Sequence, residues 1–373
     1  MLDFGIPINN AMSSFADNAE MIWDFAEDTT DVMLGEMNTD IAPTKYDIVY
    51  QQDRVKLKYY ESKAKTKMKH PLLIVYALIN RETMLDLQPG RSVVNTLLEQ
   101  GTDIYMIEWG YPTKKDKYDT IADHVKGYMD DVVDFIRERE NVPKINLMGI
   151  CMGGSFCVMY SSLNPDKIKN LVTTVAPTSF DNDKGLLHQW MRSVDVDRMM
   201  DTMGNMPGDL MNFGFLLLNP ARLMIDKYQN FAENMNSKSY VENFVRMEKW
   251  IFDSPDVPGE TFRQFIKDCY QQNKLIKNEL DLDGDIVNLK NLTMPLLNIY
   301  GEYDHLVPPV ACDQLTSAVG SKDVEDLSLK TGHIGIYVSS KCQKEFAPKI
   351  SAWLWERDKT PTARKKTKSV EKS

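Results

Sequence analysis

Residues 144–163, KINLMGICMGGSFCVMYSSL, run from a short apolar stretch through Gly149, Cys151 and Gly153 into an amphipathic one. The spacing G-x-nucleophile-x-G between a buried strand and a helix belongs to a sharp turn that lifts one reactive side chain clear of a parallel sheet, here with cysteine in place of serine. Small neighbours are required because the strained turn brings backbone close to the nucleophile. A buried core cysteine would satisfy the five-residue pattern alone, and the strand before it and helix after it decide for the turn. A helix N-terminus favours a thiolate and offers its first N–H groups to a tetrahedral oxyanion, so the Met152 N–H is the expected first donor.

Outward from this turn, the chain alternates strand and helix. DIVYQQDRVKLKYY (47–60) alternates polar and apolar residues around a short break, as two paired strands at a sheet edge would. PLLIVYALI (71–79) is a buried run, followed by the turn-like NRETMLDLQPG and by RSVVNTLLEQG, a helix ended at Gly101. DIYMIEWGYP (103–112) is a further strand. Apolar positions at helical spacing from Asp119 to Glu138, among them Ile121, Val125, Met129, Val132 and Ile136, predict a helix before Pro143. LVTTVA (171–176) and PLLNIYG (295–301) continue the strands. Short apolar strands separated by helices imply a mostly parallel, doubly wound α/β sheet, because parallel neighbours need crossover connections.

Between roughly Thr178 and Asn291 no comparable strand is found, and HQWMRSVDVDRMMDTM and VENFVRMEKWIF read as helices of an inserted cap. Its methionines read as adaptable packing rather than a metal or cofactor box. The expected divisions are an N-terminal helical arm (1–45), a core in two parts (46–177 and 292–356), the helical cap (178–291) and a disordered basic tail (357–373). The 373 residues, 43% hydrophobic, suffice for a large core, and a net charge of −10 argues against general nucleic-acid affinity. No apolar run reaches bilayer length, no secretory signal opens the chain, and five scattered cysteines without C-x-x-C pairs fit a reducing cytoplasm rather than disulfides or zinc.

The turn is read with an acid and a base following in chain order. Asp304, in PLLNIYGEYDHLVPP, stands just beyond a buried strand; His333, in DLSLKTGHIGIYVSSK, lies in a glycine-flanked loop after another. A histidine between Gly332 and Gly335 is poorly explained as packing, whereas Asp304 also suits a helix cap. His305 is a rival base out of order. His124 and His188, in helical sequence, read as surface residues, and Cys157 as packing. The second oxyanion N–H is expected from Ile79 or Asn80 in the loop after an early strand, with Asn80 also a candidate for substrate binding. The fold expected is therefore an α/β-hydrolase fold with an inserted helical cap, carrying a Cys151–His333–Asp304 triad. His333 accepts the thiol proton and Asp304 fixes its tautomer; with Cys151 already a thiolate, the pair would instead activate an incoming hydroxyl.

The motifs GICMGG, YALINRETMLDLQPGRSV, IEWGYP, GEYDHLVPP and TGHIGIYVS together resemble the catalytic subunit of polyhydroxyalkanoate synthases, over about Lys69 to Trp355. The length is similar to the class III subunit, with the two-subunit class IV the close competitor. The resemblance implies Cys151 as the acylated nucleophile, His333 as base, Asp304 as its acid partner and Trp250 as a cap or dimer-contact tryptophan. It implies transfer of 3-hydroxyacyl groups, 3-hydroxybutyryl among them, from coenzyme A to one thiol per site, then polyester growth without cofactor or metal. It further implies a second synthase subunit (E-type or R-type), a homodimer or higher oligomer, and a cytoplasmic enzyme at the surface of polyester granules. Two rivals remain at this level: a cysteine-type esterase or lactone hydrolase of the same fold, with water as acceptor, and a noncatalytic binding module.

Overall fold

The computed structural model describes residues 38–181, 184–220, 223 and 226–358. Residues 1–37 and 359–373 lie outside these, so the expected N-terminal helices and most of the basic tail are outside the described residues. Among the latter, eight strands form one sheet: β1 (Asp47–Gln52), β2 (Val55–Tyr60), β3 (Leu72–Val75), β4 (Ile104–Glu108), β5 (Ile145–Ile150), β6 (Ile168–Thr174), β7 (Leu296–Gly301) and β8 (Val324–Leu329). Their spatial order is β1-β2-β4-β3-β5-β6-β7-β8. The β1–β2 and β2–β4 pairs are antiparallel, and every pair from β4–β3 to β7–β8 is parallel.

Residues 47–60 thus form the edge hairpin that their alternation predicts, turning at Asp53 with φ of 51°. β5 is buried at all six positions, as its unbroken apolar run requires of a strand covered on both faces. The polar side chains in the middle of the sheet bond to one another. Asn170 donates to Asn146 at 2.7 Å, Thr173 to Asn298 at 2.8 Å, and Asn298 to the Cys312 carbonyl and Asp326. These side chains thereby satisfy one another, and adjacent strands are pinned in register.

The helices pack in two groups, α1 (Val93–Glu99) with the C-terminal α14 (Ser340–Asp358), and α3 (Met152–Leu163) with the turns leading into α2 (Met129–Arg139). Arg357 and Asp358, assigned by sequence to the tail, complete α14, where Asp358 holds His70 Nδ1 at 2.6 Å. The helix expected from Asp119 opens instead as a π-helical segment, Asp123–Tyr128, before α2. His124 sits in it and is fully buried, correcting its reading as a surface residue: three residues after Ile121 and one before Val125, it falls on the apolar stripe. It packs against Trp109 and Phe156, and its Nδ1 is 2.8 Å from the Thr120 carbonyl. His188 is likewise buried rather than exposed, between the rings of Phe180 and Tyr270.

Between β6 and β7 the chain forms α4 (Leu186–Ser193), α5 (Val196–Met203), α6 (Gly208–Leu217), α7 (Lys227–Asn234), α8 (Lys238–Phe252), α9 (Gly259–Gln264) and α10 (Lys274–Lys277), with a two-residue-per-strand hairpin at Asp281–Ile286; α11 (Pro309–Cys312) and α12 (Leu315–Ala318) lie between β7 and β8, and α13 (Gly335–Val338) precedes α14. Residues 38–40 run along α8, where the buried Arg246 donates to the carbonyls of Asn38 and Asp40.

Candidate active site

Cys151 is the single residue between β5 and α3, with φ of 53° and ψ of −125°. That left-handed conformation costs a non-glycine residue energy, and its neighbours hold it there. Its N–H donates to Thr174 on β6 at 2.9 Å, and its carbonyl accepts from Gly154 at 2.8 Å. The glycine spacing has a steric cause. A Cβ on Gly149 would lie 2.5 Å from the Gly154 Cα and 2.7 Å from the Cys157 sulfur; one on Gly153 would lie 2.4 Å from the Val75 carbonyl oxygen. Cys157 is thus the packed residue beneath the turn, its thiol pushed well up by burial.

Asp304 and His333 come from the exits of β7 and β8, which are laced together. The Glu302 N–H donates to the Leu329 carbonyl at 2.8 Å and the Tyr303 N–H to that of Thr331 at 3.0 Å. Asp304 is 4% exposed and uses both carboxylate oxygens: Oδ1 accepts the N–H groups of Leu306 and Val307 at 2.9 Å, and Oδ2 faces His333 Nδ1 at 2.6 Å. The bonds to Leu306 and Val307 close a turn rather than cap a helix, since the next helix begins only at Pro309 after Pro308, so the capping role weighed from sequence gives way to the bond to histidine. His333 lines the same cavity as Cys151. Burial pulls the imidazole down, but the Asp304 carboxylate and then the Cys151 sulfur outweigh it and raise it to about 10. An imidazolium paired with the Asp304 carboxylate follows.

Cys151 and His333 open into a cavity of about 570 Å³. Its walls are mostly apolar, with Phe215, Leu216, Met247, Trp250 and Ile251 from the inserted helices and Ala77 and Ile79 from the loop after β3. Ile79 and Asn80 line it as their placement in that loop suggested, and His305 lines it as well. Asn80, with φ of 59°, accepts from the Ser254 hydroxyl at 3.3 Å. Met152 begins α3, and the first N–H of a helix has no intrahelical acceptor. Trp250 is buried within the chain, and its Nε1 donates to the Arg81 carbonyl at 2.8 Å, tying α8 to the same loop. Tyr76 also lines the cavity and was not singled out from sequence, where it was one apolar residue in a strand run. Among the described residues no group of His, Cys, Asp and Glu side chains could hold a metal ion.

A family model described as the alpha/beta hydrolase fold matches residues 70–339, and one described as the N-terminus of poly-beta-hydroxybutyrate polymerase (PhaC) matches residues 7–97. The chain is 46% identical over 359 residues to the poly(3-hydroxyalkanoate) polymerase subunit PhaC of Allochromatium vinosum, covering 96% of each chain. It is 48% identical over 322 residues to the subunit of the same name from Thiocystis violacea, covering 86% of this chain and 90% of that one. Among solved structures, a soluble variant of monoglyceride lipase from Saccharomyces cerevisiae matches with a TM-score of 0.51 at 14% identity, over 87% of this chain and 98% of the other. The Paleococcus ferrophilus monoacylglycerol lipase matches with a TM-score of 0.50 at 14% identity, over 81% and 99%. At such identities the two structures speak to the fold alone.

Proposed function

The chain belongs to the family of poly(3-hydroxyalkanoate) polymerase subunits of the PhaC type, acyltransferases on the α/β-hydrolase fold, and we propose that it polymerises 3-hydroxyacyl-CoA, notably 3-hydroxybutyryl-CoA, through an acyl group carried on Cys151. The observation that carries the residue assignment is a cysteine at a strained strand-to-helix turn, sharing one cavity with a histidine whose Nδ1 lies 2.6 Å from a buried aspartate.

In this reading the Cys151 sulfur attacks the thioester carbon, and coenzyme A leaves as a thiolate that takes a proton from the His333 imidazolium. The neutral imidazole then removes the proton of a 3-hydroxyl, whose oxygen attacks the acyl carbon on Cys151, and an ester forms as the thiolate returns. Thioester exchange is nearly isoenergetic and thioester-to-ester transfer runs downhill, so a thiol stores the acyl group in activated form. Among the described residues Cys151 is the only cysteine lining the cavity, which supports one thiol per site. The apolar walls favour a hydroxyacyl acceptor over water. We take the Met152 N–H and an N–H of Ile79 as oxyanion donors, Asn80 as a substrate contact, and residues 178–291 as the cap over the site. We assign a second, separately encoded subunit and a place at polyester granule surfaces; among the described residues no helix is long and apolar enough to cross a membrane.

The test is incubation with 3-hydroxybutyryl-CoA, following free thiol and insoluble polyester, with and without an E-type or R-type subunit. Wild type should release coenzyme A and form polymer, faster with the second subunit, and folded Cys151→Ala should do neither. Thiol release without polymer would establish the hydrolase reading; an active Cys151→Ala protein would remove the acyl-enzyme.

A further inference from the structure

The buried Tyr105 and Tyr160 spend their hydroxyls on carboxylates, those of Glu140 and Asp130. Tyr76, Tyr270 and Tyr337 differ. Each is buried, and no hydrogen bond joins any of the three hydroxyls to a described residue; that of Tyr337 is in addition sealed. Each phenol is raised first by burial and then by negative charges that include Cys151, so three protonated phenols lie within electrostatic reach of it.

Their settings separate them. Tyr337 is sealed at 1% exposure against Phe346, and Tyr270 packs at a tilt against both Phe180 and His188. Among the three, Tyr76 lines the cavity together with Cys151 and His333. It follows β3 directly, at the head of the loop that carries Ile79. Its backbone is fixed: the carbonyl accepts from Trp109 Nε1 at 2.9 Å and lies 2.5 Å from where a Cβ on Gly153 would stand, against the nucleophile turn. A hydroxyl left unpaired in an apolar cavity is costly, and a substrate oxygen beside Cys151 removes that cost.

We propose that the Tyr76 hydroxyl is a side-chain oxyanion donor, hydrogen-bonding the acyl oxygen as the Cys151 sulfur adds to the thioester carbon. The inference rests on Cys151 being the acylated residue. As the C–S bond forms, the carbonyl π pair moves onto oxygen and the Tyr76 O–H points its proton at it without giving it up. When the C=O re-forms, the bond to coenzyme A breaks, and the departing thiolate takes its proton from His333. The phenol's resistance to ionisation suits this duty, since it stays a donor across the working pH range.

Single-turnover acylation with saturating 3-hydroxybutyryl-CoA, read as free thiol and as mass added to the Cys151 peptide, tests it in Tyr76→Phe. The variant should lose about 10²-fold in acylation rate and kcat with KM within about threefold, the pattern of a lost oxyanion donor. Tyr337→Phe, deleting an equally buried hydroxyl that does not line the cavity, should keep the wild-type rate. Acylation of Tyr76→Phe at the wild-type rate, or an equal loss in Tyr337→Phe, overturns the proposal. Should Tyr76→Phe not fold, 3-fluorotyrosine at position 76 carries the test: a changed kcat at unchanged KM supports the donor, and an unchanged kcat overturns it. Absence of mass on Cys151 in wild type would instead sink the acyl-enzyme on which the inference stands.

Discussion

Asp304 shows how much one side chain decides. One oxygen fixes its own loop through Leu306 and Val307 while the other holds His333, so the carboxylate that faces the imidazole is itself rigidly oriented, as the proposed acid must be. Asp304→Asn keeps the first oxygen and replaces the second by an N–H₂ facing a ring N–H, which reverses the tautomer. We expect kcat to fall about 10²-fold or more while the fold persists, measured by coenzyme A release alongside circular dichroism. The linkage has a defined sign. His333 is raised to about 10 in the folded chain against 6.5 for an ordinary histidine, so its contribution to stability is complete below pH 6.5 and is lost as pH rises through 10. Thermal unfolding between pH 6.5 and 10 should show a decline in wild type that is smaller in Asp304→Asn; equal slopes would refute it.

At the scale of elements, the nucleophile turn works because β3, β5 and α3 approach one another more closely than side chains allow. Gly153→Ala would set a methyl 2.4 Å from the Val75 carbonyl oxygen and 2.5 Å from that of Tyr76, both backbone atoms that cannot swing aside. The expected result is a loss of stability of about 1–3 kcal/mol in urea unfolding together with loss of coenzyme A release. Gly127→Ala is the matched control, since a Cβ there meets nothing within 4 Å, and it should leave the rate unchanged. Similar losses in both would show that the turn has slack. The inserted helices contribute differently: α8 supplies Met247, Trp250 and Ile251 to the cavity wall and is tied down through Trp250 to Arg81, so cavity shape depends on how α8 sits over the loop after β3.

Across the whole molecule, His124 and His188 tie stability to acid. Burial, its largest cause, pulls each imidazole down to about 4, against 6.5 for an ordinary histidine. Each is neutral when folded, so this stability is present above pH 6.5 and lost as pH falls through 4. His188→Phe keeps the ring between Phe180 and Tyr270 and removes two buried nitrogens that have no partner among the described residues, so its unfolding temperature should fall less between pH 6.5 and 4. A wild-type slope in that variant would exclude His188 as a source. The sequence by itself determined the strands, the turn around Cys151 and the chain order of nucleophile, acid and base, because these rest on local periodicity and on backbone sterics within a few residues. Tertiary structure alone decided the order of the strands, the bond between Asp304 and His333, the burial of His124 and His188, and the meeting of Tyr76 and Cys151 in one cavity wall. These depend on surfaces meeting across long stretches of chain, as when Trp250 bonds the carbonyl of Arg81 169 residues away, and hydrophobic packing selects such meetings by shape, which no spacing along a sequence encodes.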